Sequence, residues 1–190
     1  MSEQPLQMPT QIPRPRIRVK RWIREGIWTI VLSLVVVVLL RTFVFEMAEV
    51  DGKSMNPTLE HEQHVLVMKW TQYLRPMPKR GEIMVTQYPN EGTVKYYIKR
   101  VVAIGGDEIE VVDGLAYVNG VPNTAGEGLC RYDVPKQEVP AHCVYVMGDN
   151  RADSLDSTRI GPLDINLLLG RADAVIYPFS QMKGLQHDED

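Results

Sequence analysis

The chain has 190 residues, 44% of them hydrophobic and 24% charged, with a formal net charge of -3. That composition fits a globular protein with about one ordinary domain and excludes a disordered or collagen-like chain. The charge is unevenly divided: residues 1–26 hold six basic side chains against two acidic ones, whereas residues 46–190 hold 14 basic against 22 acidic. An acidic folded portion argues against nucleic acid as a partner, since phosphate binding needs a basic face.

In chain order, residues 1–13 are polar and rich in Gln and Pro, which predicts a disordered start to a basic tail over 1–26. From Gly26 to Leu40 nothing is ionisable. Extending that run past Arg41 to Phe45 gives the ~20 residues a bilayer crossing needs, with Arg41 reaching to the interface. A transmembrane helix is therefore expected over 27–45. The competing reading, a cleaved signal peptide, meets no small-x-small site in Arg41-Thr42-Phe43-Val44-Phe45-Glu46. The basic flank predicts a cytoplasmic N-terminus, a single pass through the cell membrane, and an extracytoplasmic domain over 46–180. An acidic tail is expected over 181–190.

Beyond the span the texture changes to short apolar runs between turn residues. Strands are predicted at His64–Trp70, Glu82–Tyr88 (stopped by Pro89-Asn90), Tyr96–Ile104, Glu108–Val112, Leu115–Val118, Val144–Met147 and Ala172–Tyr177, the last before the tail. Asp113-Gly114 and Asn119-Gly120 are hairpin turn signals. Residues 121–140, with three prolines, read as a loop region, and one helical turn is expected over Asp164–Leu169, closed by Gly170. The fold class is mainly β, an antiparallel sheet that is open or barrel-like, behind one N-terminal transmembrane helix. Cys130 and Cys143 fit either a disulfide or two separate thiols, and their spacing supports no zinc site.

Ser54, in Gly52-Lys53-Ser54-Met55-Asn56-Pro57-Thr58-Leu59, stands a few residues beyond the span, a candidate nucleophile near a membrane. A serine hydroxyl needs a base. His61 and His64 border a strand and lack the H-E-x-x-H order of a zinc protease, so neither is assigned a role. His142 could reach an active site, and His187 lies in the acidic tail. A lysine serves as base only when burial strips its charge. Lys99, between Tyr96-Tyr97-Ile98 and Val101-Val102-Ala103-Ile104, has the apolar surroundings for this, although strand alternation alone would let it face water. A third segment, Gly148 to Ser157, gathers Asp149, Asn150, Arg151, Asp153, Ser154, Asp156 and Ser157 without the calcium-loop order. Ser154 or Ser157 could hold a lysine amine.

Taken in order behind a basic leader and a span, these segments resemble the bacterial type I signal peptidases, membrane-anchored Ser/Lys endopeptidases. Residues 52–59 are similar to the nucleophile box, Arg80-Gly81-Glu82-Ile83-Met84-Val85 to the strand box, 97–107 to the lysine box, and 147–157 to the last box. The resemblance implies Ser54 as nucleophile, Lys99 as general base, Ser154 orienting the amine, and Asp156 supporting the last box with Arg151 and Asn150. It implies Val50, Met55 and Tyr97 at the substrate cleft, cleavage after small-x-small sites, and no cofactor or metal. The implied partners are secreted preproteins and the lipid bilayer, with proximity to the secretion translocase. One departure stands out: Thr158-Arg159 lies where the family commonly has Arg directly after the Ser. Arg159 could take over an ion pair with Asp156, or Asp156 could pair differently. Gly52 also stands where some members carry a hydroxyl residue, which leaves the Ser54 amide as the main expected oxyanion donor. The non-catalytic alternative is a membrane-anchored β domain that binds secreted chains.

Overall fold

The computed structural model describes residues 19–70, 77–90 and 93–186. The expected disordered start (1–13), part of the 75–81 loop and the last four residues lie outside them. The chain divides into two compact units, Met1–Val38 and Leu39–Asp190.

Helix α1 (Val19–Phe43) carries the apolar run. Its segment Arg21–Phe43 contains an 18-residue stretch with a mean hydropathy of 2.2 and is long and apolar enough to cross a membrane; at 1.5 Å per residue it spans about 34 Å. The helix starts earlier than the expected 27, and its added turns carry an Arg21–Glu25 pair at 2.7 Å along one face. It ends at Phe43, and Phe45 already pairs with Met68 in a sheet.

The second unit is built from two open antiparallel sheets. The larger contains β1 (Phe45–Glu49), β2 (His64–Met68), β3 (Ile83–Asn90), β4 (Thr93–Ile104), β9 (Cys143–Met147), β10 (Leu163–Asp164), β11 (Leu168–Tyr177) and β12 (Lys183–Gly184). Its order is β1-β2-β11-β3-β4-β9-β10, with β12 beside β11. The smaller sheet runs β7-β6-β5-β8, from β5 (Glu108–Val112), β6 (Leu115–Val118), β7 (Val121–Pro122) and β8 (Val134–Glu138). Neither sheet closes into a barrel, so the open form of the expected fold is the one adopted. Asp113 and Gly114, at φ 51° and 76°, form the expected hairpin turn.

Several boundaries differ from those read in the sequence. Pro89 does not stop β3, because beyond Thr86 that strand has outrun β11 and keeps a partner on one side only, where proline is tolerated. The loop region 121–140 supplies β7 and β8. At 165–167 there is only a 3-10 turn, capped by the Asp164 side chain on Asn166 N, and Gly170 belongs to β11 rather than closing a helix. A four-residue helix, α2 (Ser157–Ile160), was not anticipated. Ala172–Tyr177 is not the last strand either: Lys183 pairs with Val175, and Leu185 is buried. Cys130 and Cys143 are free thiols packed into one apolar cluster.

Two features of the packing position the site. Met55 and Leu59 are fully buried in a cluster with Val65, Ile83 and Val175, which anchors the loop between β1 and β2. Strand β4 lies between β3 and β9, and Lys99, Arg100, Val101, Val102 and Ala103 are all buried, so neither face of that stretch is open to water.

Candidate active site

The loop carrying Ser54 is held from three sides. The β1–β2 pairing continues past Glu49 through Val50, whose N–H donates to Gln63 O at 2.8 Å and whose carbonyl accepts from Glu62 N at 2.9 Å. At Gly52 a side chain takes over: its N–H donates to His61 Nδ1 at 3.2 Å. Gly52 sits at φ 98°, a conformation that disfavours any residue with a Cβ. From the far side, Asn150 N–H donates to Ser54 O at 3.0 Å and Asn150 Nδ2 to Lys53 O at 3.2 Å. The Ser54 N–H has no partner among the described residues and remains available to an incoming oxygen.

Lys99 reaches this loop from β4. Its Nζ donates to Ser54 Oγ at 2.6 Å and lies 5.9 Å from the centre of the Tyr97 ring. Lys99 is 1% exposed. Burial pushes its amine down to about 8 from the ordinary 10.5, against the opposing pull of Asp156, Asp149 and Asp153. A neutral fraction is therefore present near neutral pH, and the amine already touches the hydroxyl it would deprotonate.

The 148–158 segment backs this pair. Asp149, fully buried, takes a bidentate bond from Arg100 at 2.8 and 2.7 Å. A Cβ at Gly148 would collide with the Ser154 side chain and the Ser54 carbonyl, so glycine is required there by close approach. Asp156 accepts from Gly148 N at 3.1 Å, and from Thr158 N and Oγ1 at 3.1 and 2.8 Å, which makes it the N-cap of α2. Its partners are thus neutral, and Arg159 instead lies 5.7 Å over the Tyr132 ring. Ser154 Oγ is buried beside Gly148 with no hydrogen-bond partner among the described residues, whereas Ser157 Oγ accepts from Val146 N at 3.0 Å. Arg151 is directed elsewhere: it donates to Asn123 Oδ1 at 2.6 Å and to Ala125 O.

A cleft of about 460 Å³ opens in front of Ser54, and Val50, Met55 and Tyr97 line it together with Ala48 and Tyr96. A second cavity of about 530 Å³ adjoins it, sharing Ala48, Glu49, Val85 and Tyr96. Among the residues that shape the site, sequence reasoning passed over His61 as a backbone acceptor and Arg100 as the partner of Asp149. The first carries no sequence signal, since a single histidine nine residues on marks nothing. The second left a weak signal, because a buried Asp usually meets a cation and Arg100 follows Lys99 directly.

Comparison with known proteins identifies the family. A family model described as "Signal peptidase, peptidase S26" matches residues 20–177. A probable signal peptidase I-1 of Synechocystis sp. is 36% identical over 169 residues, covering 85% of this chain and 86% of the relative. A signal peptidase I of Leptolyngbya laminosa is 33% identical, covering 83% and 81%, and one of Bacillus caldolyticus is 32% identical, covering 81% and 91%. The chain belongs to the signal peptidase family, peptidase S26, and is a serine endopeptidase.

Proposed function

We propose that this peptidase removes signal peptides from exported preproteins at the outer face of the cell membrane, with Ser54 as nucleophile and Lys99 as general base. The observation that carries the assignment is the 2.6 Å contact between a buried lysine amine and an accessible serine hydroxyl. Neutral Lys99 takes the Ser54 proton as Oγ attacks the scissile carbonyl, and the Ser54 N–H receives the developing oxyanion. The lysinium then protonates the leaving amine. Neutral again, it activates the water that releases the acyl group. Ser154, with its unpaired buried hydroxyl beside Gly148, is the group proposed to hold the amine between these steps, and Asp156 fixes Gly148 and α2 around it. The substrate lies extended in the cleft beside Val50 and Tyr97. Small side chains at the first and third positions before the cut suit a cleft walled by Met55 and Ala48. Helix α1 is the proposed anchor, and its basic flank supports a cytoplasmic N-terminus with the catalytic unit outside, near the secretion translocase.

The test is cleavage of a preprotein with an Ala-x-Ala site in detergent, comparing the intact chain with Ser54→Ala and Lys99→Ala. Cutting at that site, lost in either folded variant, supports the dyad. An intact, folded chain that binds the preprotein and never cuts it would favour the membrane-anchored binding domain instead.

A further inference from the structure

Four carboxylates are buried among the described residues: Glu82, Asp107, Asp149 and Asp156. Three of them meet an arginine, Glu82 with Arg171 at 3.0 Å, Asp149 with Arg100 at 2.7 Å, and Asp107 with Arg80. Asp156 does not. Its bonds come from the Gly148 and Thr158 N–H groups and the Thr158 hydroxyl, all neutral, and no cation pairs with it among the described residues. Neutral donors hold a carboxylate in place without cancelling its charge.

Lys99 is the complementary case, a buried cation with no carboxylate at ion-pair distance among the described residues. The two groups are linked through one tight contact. Asp156 holds Gly148, and Gly148 packs against the Ser54 carbonyl, whose own side chain bonds the Lys99 amine. The charged and titratable groups acting on the amine are Asp156 first, then Asp149 and Asp153, with the Tyr97 ring on one side. Of these, Asp149 is compensated by Arg100, and the Asp153 side chain is 67% exposed, 3.6 Å from Arg131. Asp156 alone is both buried and bare.

We propose that the neutral residue at position 158 sets the working pH of this peptidase, by leaving the buried charge of Asp156 uncancelled to act on the Lys99 amine. A bare carboxylate favours the protonated, inactive lysine, so it moves activity to higher pH. A cation at 158 would cancel the charge and move activity to lower pH. The inference rests on Lys99 being the general base.

The experiment is the pH profile of kcat/KM on an Ala-x-Ala preprotein for the full chain in detergent, with Thr158→Arg, Thr158→Val and Asp156→Asn. In parallel, the Lys99 amine is titrated by NMR of ¹³C-labelled lysine in each protein carrying Ser54→Ala. Thr158→Arg and Asp156→Asn should move the inflection and the Lys99 titration to lower pH by about half a unit or more, roughly threefold in the neutral fraction at pH 6.5. Thr158→Val changes no charge and keeps the backbone N–H, so it should leave both where they are. The proposal is overturned if Thr158→Arg and Asp156→Asn leave the Lys99 titration at its parent value, or if Thr158→Val moves it as far as Thr158→Arg. The NMR arm decides even for a variant that does not cut, and Asp156→Asn decides alone if Thr158→Arg does not fold. A failure of the base assignment is separate: the parent's profile would then lack an inflection where Lys99 titrates.

Discussion

Replacing Lys99 with Met should make the protein inactive and more stable. Lys99 is 1% exposed, so little solvent screening discounts the cost of its charge. Its lowering from 10.5 to about 8 means that folding with the charged form costs about 3 kcal/mol at pH 7, taking 1.36 kcal/mol per pH unit. Between pH 8 and 10.5 the unfolded chain binds the extra proton, so the parent's stability rises with pH through that window. The cost is fully present below pH 8 and gone above 10.5. Met fills a similar volume without a charge, and the Ser54 hydroxyl it leaves is half-exposed and finds water, which limits the loss to about 1 kcal/mol. Urea unfolding of both full chains in detergent, followed by near-ultraviolet circular dichroism from pH 6.5 to 10.5, measures the gap. Lys99→Met should lead by about 2–3 kcal/mol at pH 7, with the lead closing as pH rises above 8. A variant no more stable than its parent at pH 7, or a gap that does not narrow with pH, would refute the reasoning.

The same amine predicts that kcat/KM inflects near pH 8, rising about tenfold per pH unit below it; a flat profile between pH 6 and 8 would exclude a base of this kind. Arg100→Met leaves the fully buried Asp149 carboxylate without its cation and should lower stability by about 3–5 kcal/mol, read from the urea midpoint. Adding Asp149→Leu to that variant should recover most of the loss. His61→Ala removes the acceptor of the Gly52 N–H and should cut kcat/KM about fivefold through a looser nucleophile loop. His61→Asn offers a carbonyl at the same position and should restore it.

The apolar span, the short strands and the Asp113-Gly114 hairpin were legible because each is set by local chemistry: an uncharged run, alternating apolar residues, and two residues tolerant of positive φ. Where local rules failed, a neighbour distant in sequence was responsible. Pro89 stays in β3 because β11 has already ended beside it. Gly170 is a strand residue rather than a helix stop because β3 pairs with it at Val85, and glycine is needed there because a Cβ would run into the Met68 backbone across the sheet. Residues 134–138 form a strand because β5 offers them an edge.

Lys99 belongs to this second group. Alternation along Tyr96–Ile104 is compatible with an outward lysine, and nothing within ten residues excludes it. What buries the amine is the position of β4 between β3 and β9, together with a serine loop 45 residues earlier in the chain. The apolar run around Lys99 was therefore a weak signal for a base, and the ordered succession of motifs a strong one, because only together do they specify the partners that close over it. The same reasoning explains why Asp156 could not be assigned a partner from sequence. Whether Arg159 or Thr158 reaches it depends on the pitch of one helical turn, and in α2 the N-cap geometry turns Thr158 toward the carboxylate while Arg159 meets Tyr132. A single residue of register in a four-residue helix thus decides whether the buried carboxylate behind the site is compensated.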